Sequence, residues 1–192
     1  NHHLALPDAQ TTHLRMDVGA YRVRWELHTE FVTWTFMAPT TAEGFADREP
    51  ASAVNAVPRD WLAALPGQCL CSLNLWVLPT HVLGSSSLVK HVLHEETLVA
   101  STVADGHGEV YTDFSIHSDG FSRMVLLAGS LSPRRLGRLV QCLLEIETYR
   151  MAALLGLPAA REAASVLAFA ERELAELANA IRTADRDAEP LL

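Results

Sequence analysis

Between residues 20 and 37 apolar and polar side chains alternate. Tyr21, Val23, Trp25 and Leu27 interleave with Arg22, Arg24, Glu26 and His28, which is the period of a half-buried strand. The apolar phase then flips to Val32, Trp34 and Phe36. Strand period is two, so a flip means a bulge, a tight turn, or one long strand passing between two packing environments. His28-Thr29-Glu30 marks the place. Residues 69 to 78 repeat the pattern, with Cys69, Cys71, Leu73, Leu75 and Val77 on one apolar face and Pro79 as the stop. Residues 97 to 104 and 109 to 117 read as a hairpin around Asp105-Gly106-His107-Gly108, because aspartate and glycine suit positive φ. Val110, Thr112, Phe114 and Ile116 share a face of the second arm, and a turn at Ser118-Asp119-Gly120 leads into an apolar strand from Phe121 to Ala128.

Helical signals occupy the rest. Pro58 to Leu65 predicts a short helix ended by Pro66-Gly67. Ser85 to Ser87 predict the cap of a weak helix reaching His94. Ser132 is a good N-cap and Pro133 a good first helical residue. The helix they open is apolar almost all round from Leu139 to Ile146, which predicts packing on the sheet. Gly156-Leu157-Pro158 predicts a break. Beyond it Ala160, Ala163, Leu167, Ala170, Leu174, Leu177 and Ile181 recur at spacings of three and four. That is an a/d seam about three heptads long, suited to packing on its own domain or to opening a coiled coil. The expected fold is α+β: an antiparallel meander sheet of about five or six strands packed against a C-terminal helix, followed by a second amphipathic heptad helix. Residues 1–19 read as a linker or edge segment, 20–157 as the head domain, and 158–192 as the start of a helical stalk.

Composition narrows the function classes. Of 192 residues, 49% are hydrophobic and 20% charged, which is globular and argues against disorder. The net charge is −8 and Lys90 is the sole lysine. Without a basic stripe interleaved with aromatics, a nucleic-acid groove is not expected. Arg134, Arg135 and Arg138 form one basic knot, read as a solvated face, with docking of an acidic partner or lipid headgroups as the sharper reading. Cys69, Cys71 and Cys142 carry no zinc-type spacing, so buried, unbridged thiols are expected. No uninterrupted apolar run reaches the roughly 18 to 20 residues that span a bilayer. The first residues, Asn1-His2-His3-Leu4, show no signal peptide. That start and the Pro190-Leu191-Leu192 end read as those of a fragment.

Candidate chemistry is sparse. His28-Thr29-Glu30 and His117-Ser118-Asp119 each set an imidazole and a carboxylate two residues apart, on one face if the backbone is extended. Were the two strands adjacent, His28, Glu30, His117 and Asp119 would converge as a divalent-metal site or an acid/base pair. Both pairs fall at expected turns, where such groups usually bond local backbone. Arg24, Glu26 and Arg123 are candidates for a charged network on the sheet, and Glu147 and Arg150, three apart on a helix, for an ion pair. His91 and His94 share a face in a helix but lack an evident third ligand. No nucleophile elbow, phosphate-binding glycine loop, metalloprotease helix or dinucleotide fingerprint is present. No cofactor is expected, and the balance leans away from an enzyme.

Three stretches carry a family resemblance: Arg24-Trp25-Glu26-Leu27-His28-Thr29-Glu30-Phe31, Thr112-Asp113-Phe114 through Arg123, and Leu139-Val140-Gln141 through Glu145-Ile146-Glu147-Thr148-Tyr149-Arg150 to Leu157-Pro158. In this order they resemble the uncharacterised membrane-anchored family known as domain of unknown function 3422, over most of residues 17–165. The resemblance implies a soluble head, a helical stalk and C-terminal transmembrane helices outside this chain. It supplies no reaction. The first reading is a bacterial head domain acting in protein interaction, assembly or sensing; the heptad seam adds homo-oligomerisation through the 160–181 helix, and the few cysteines and lack of a signal peptide favour a cytoplasmic head. The alternatives are a metal-dependent or acid/base enzyme built on the two His-x-acid pairs, and a regulatory domain of a channel or transporter.

Overall fold

The computed structural model describes residues 10–40, 50–80 and 90–188. The start of the weak helix expected after Ser85 lies outside them, as does much of the loop expected between 38 and 57. The chain divides into two compact units, Asn1–Leu143 and Leu144–Leu192.

The first unit holds two sheets. β1 (His13–Asp17), β2 (Arg22–Leu27) and β3 (Val32–Met37) form an antiparallel three-stranded sheet in that order. The phase flip at His28-Thr29-Glu30 is a tight turn: the His28 N–H donates to the Phe31 carbonyl, and Trp25 pairs with Trp34 across the hairpin. The segment expected to be a linker or edge contributes β1, an edge strand. A short helix α1 (Arg59–Ala63) comes next, as its sequence predicted. Its Trp61 meets the rings of Trp34 and Phe36 edge-on, at centroid separations of 5.1 and 6.1 Å. Aromatic contact thus ties the small sheet to α1.

The second sheet has β4 (Leu73–Pro79), β5 (Val99–Val103), β6 (Gly108–Thr112) and β7 (Ser122–Ala128) in the spatial order β4-β7-β6-β5. The β5–β6 hairpin forms as expected, with Ala104, Asp105 and Gly106 all at positive φ. The meander gives way at β4, which joins β7 as a parallel neighbour. β7 thereby becomes an inner strand, and Val125 and Leu126 are fully buried. Both faces of this sheet are covered. Trp76, Leu78, Val125 and Leu127 pack with Val92 and Leu93 on one side. Val110, Met124 and Leu126 pack with Leu136, Leu139, Val140 and Leu143 on the other. Double burial explains why Met124-Val125-Leu126-Leu127 is a continuous apolar run where a one-sided strand would alternate. It also corrects the reading of β4, where Trp76 and Leu78 line a second apolar face behind Leu73, Leu75 and Val77.

Helix α2 runs without interruption from Pro133 to Ala188, with Pro158 inside it. Its start is capped by Ser132, whose hydroxyl accepts the Arg135 N–H at 3.5 Å. The predicted break at Gly156-Leu157-Pro158 does not occur, and the expected second helix is the continuation of the first. The α+β class with a helix packed on the sheet holds. The strand count roughly fits the expectation; the differences from a single meander are the partition into two sheets and the one parallel pair.

Candidate functional site

The polar centre of the first unit sits where three segments leave the four-stranded sheet. Asp113 directly follows β6, and Phe114 after it has φ of 51°. That left-handed backbone is costly for a large side chain. It is held by Thr112, whose hydroxyl donates to the Arg123 carbonyl and accepts the Phe114 N–H. Strained backbone of this kind persists where surrounding contacts fix it. Here it reverses the chain immediately beyond Asp113, and the ensuing loop returns His117 to that carboxylate.

The Asp113 side chain is wholly buried. Its Oδ1 accepts the Ser115 N–H at 3.0 Å, and its Oδ2 accepts the His94 N–H at 2.9 Å. His117 Nε2 lies 2.8 Å from Oδ2, and His94 Nδ1 lies 3.4 Å from the same oxygen. The two imidazoles stack, with centroids 4.3 Å apart. Burial alone would raise the Asp113 pKa. The His94 and Ser115 N–H groups, with the His117 charge and hydrogen bond, outweigh it and hold the carboxyl below the usual carboxylate range. Asp113 is therefore anionic at neutral pH.

A second layer positions these groups. The buried Arg123 on β7 donates from Nη1 to the Val92 carbonyl at 3.2 Å and from Nη2 to Asp119 Oδ2 at 3.0 Å. One guanidinium thus ties the segment entering His94 to the turn leaving His117. Asp119 also accepts the Phe121 N–H at 3.0 Å. Its pKa too is lowered: desolvation raises it, but the Phe121 N–H, then Arg123, then His117 prevail. Asp119 and Phe121 reach the wall of a cavity of about 630 Å³ that is also lined by Ser52, Asn74, Trp76 and Arg59. The Ser52 hydroxyl bonds the buried Asn74 amide there.

The residues singled out from the sequence are dispersed. His117 stands in the cluster and Asp119 at its side. His28 and Glu30 sit in the β2–β3 turn of the other sheet. His28 stacks on Phe31 at 4.5 Å and approaches the Thr33 hydroxyl at 3.4 Å, while Glu30 is exposed. Among the described residues, one group of three His, Cys, Asp or Glu side chains offers mutually close ligand atoms: His94, Asp113 and His117. It excludes His28 and Glu30. Arg24 pairs with Glu26 on β2, whereas Arg123 lies in the four-stranded sheet, so the three do not form the network expected of them. Glu147 and Arg150 do pair, through two bonds of 2.7 and 2.8 Å on α2, with Glu147 only 3% exposed. Cys69 and Cys142 are exposed and Cys71 half-buried, which corrects the expectation of buried thiols; no disulfide joins them.

Sequence reasoning missed His94 and Asp113 as partners of His117. Asp113 and His117 are four apart in a loop, and His94 is brought back by the whole β5–β6 hairpin. The available signal was the i, i+4 Asp–His spacing next to a histidine at the far end of a hairpin.

No curated protein and no solved structure matches the chain. A family match runs from residue 1 to residue 192, the full chain, and includes every residue of the cluster. The chain accordingly belongs to the family described as protein of unknown function (DUF3422).

Proposed function

We propose that this chain is the soluble head and proximal stalk of a membrane-anchored protein that works by assembly, with a second copy packing along residues 160–181. The observation that carries the reading is the seam on α2. Leu167, Leu174, Leu177 and Ile181 are each more than half exposed, and with Ala160, Ala163 and Ala170 they hold a strict 3-4 spacing. A row of that spacing is self-complementary when two such helices supercoil. Alanines in the row permit close approach.

Membrane insertion of the same helix is the competing occupant. α2 is long enough to cross a bilayer and contains an 18-residue window of mean hydropathy 1.3. Arg161, Glu162, Glu171, Arg172 and Glu173 interrupt the exposed stretch. A charged residue at the bilayer centre costs about 3 kcal/mol, while a leucine contributes only about 0.5 kcal/mol in favour. The seam therefore suits water and a partner helix better than lipid; in this reading the anchor belongs to segments other than α2 and the head is cytoplasmic.

Light scattering after size exclusion tests the reading. The expected result is a mass at least twice that of the monomer, reverting to monomer in Leu174→Glu. A monomer at every concentration overturns it. If the wild-type chain is monomeric yet floats with anionic vesicles, the helix is a membrane contact and the assembly reading fails.

A further inference from the structure

We propose that His94, Asp113 and His117 form a binding site for a divalent first-row transition cation of the zinc type. The inference is independent of the assembly reading. It rests on four observations that converge on one point.

The first is the ligand set. Two imidazoles and one carboxylate suit zinc, cobalt, nickel or ferrous iron, whereas magnesium and calcium take oxygen ligands. The second is geometry. His117 Nε2 and His94 Nδ1 lie 2.8 and 3.4 Å from Asp113 Oδ2, and the three ligand atoms all fall within 4.8 Å of one another. Ligands bonded at about 2.0–2.2 Å around a tetrahedral or octahedral ion stand about 3.0–3.5 Å apart. The two contacts to Asp113 already stand near that spacing, and rotation of the exposed His94 ring out of its stack on His117 turns the second nitrogen toward the same point.

The third is preorganisation. Asp113 is fixed through Oδ1 by the Ser115 N–H and through Oδ2 by the His94 N–H. Arg123 and Asp119 brace the two segments that deliver the histidines. Such outer contacts orient ligands and raise affinity. The fourth is access with the right charge. Asp113 and the His117 side chain are buried, but the His94 side chain is 58% exposed, so a cation can enter from solvent. Three protein ligands leave at least one coordination position for water or a small ligand. With neutral histidines, Asp113, Asp119 and Arg123 sum to one negative charge.

Binding is an exchange. In the metal-free chain the 2.8 Å contact between His117 Nε2 and Asp113 Oδ2 holds a proton between them. The cation takes that place and gains a lone pair from each ligand atom; the proton leaves Nε2 and the ring takes one up at Nδ1 from solvent, so His117 binds as a neutral imidazole.

The test uses the full chain, stripped with a chelator and titrated with Zn²⁺ against a chromophoric competitor, then with Co²⁺ while visible d–d absorption is followed. The expected result is one equivalent bound, a higher melting temperature with Zn²⁺, and no response to Mg²⁺ or Ca²⁺. His94→Ala, a change at an exposed side chain, weakens Zn²⁺ binding by about 10-fold or more. His91→Ala, three residues away and outside the cluster, leaves it unchanged. Asp113→Asn, if it folds, lowers affinity at least as far as His94→Ala. Failure to bind Zn²⁺, or binding that His94→Ala does not weaken, overturns the proposal.

Discussion

Asp113 shows how much one side chain can determine. It is the anchor of the loop after β6, with both carboxylate oxygens engaged. Truncation to alanine strands the His94 and Ser115 N–H groups and removes the partner of His117. Unsatisfied buried donors cost about 1–3 kcal/mol each, so Asp113→Ala is expected to lower unfolding free energy by about 2–4 kcal/mol in urea denaturation. A loss below about 0.5 kcal/mol would show that the loop is not held by this carboxylate. Gly129 is decisive for a different reason. A Cβ there would stand 2.6 Å from the His107 carbonyl oxygen, which is backbone and cannot swing aside. That same oxygen accepts the Gly129 N–H at 2.8 Å. Gly129→Ala should therefore destabilise by about 1–3 kcal/mol, whereas alanine at Gly137, where nothing lies within 4 Å, should be neutral or stabilising through helix propensity. Comparing the two melting temperatures separates steric exclusion from propensity.

At the scale of elements, local pattern was readable wherever it decided the outcome. The β5–β6 turn, the phase flip at His28-Thr29-Glu30 and the Ser132-Pro133 helix start are encoded by neighbours a few residues apart. The parallel docking of β4 on β7 is not, because it depends on which long-range edge is buried most completely. The polar cluster shares that limit: His94 and Asp113 are 19 residues apart and meet only once a hairpin closes. Pro158 marks the opposite error. Its ring removes a backbone donor and crowds the carbonyl of Leu154, at a cost of about 3 kcal/mol in a helix interior. That sufficed to predict a break, yet α2 passes through. Pairing of the apolar seam beyond the proline, as proposed, would offset such a cost. Pro158→Ala is accordingly expected to slow amide exchange over residues 154–162 and to raise helical circular dichroism. Unchanged protection there would mean that the proline imposes no local weakness.

On the whole-molecule scale, stability and assembly are expected to reside in separate parts of the chain. Both apolar cores are built from residues no later than Leu143, and the polar cluster is complete by Arg123. From Ala152 through Ala184 every residue is exposed. Exposed helix contributes little on its own, since most helical stability comes from burying an apolar face. A chain ending at residue 157 should then unfold in urea with the midpoint of the full chain at concentrations where both are monomeric. It should also keep the Zn²⁺ affinity of the full chain, because no ligand lies beyond His117. What it should lose is concentration dependence. If the seam from Ala160 to Ile181 pairs with a second copy, the full chain melts higher as protein concentration rises, by mass action, while the shortened chain melts at one temperature throughout. Equal concentration dependence in both would move the assembly surface to the head and off the helix. A lower midpoint for the shortened chain under monomeric conditions would show instead that residues beyond 157 stabilise the head directly.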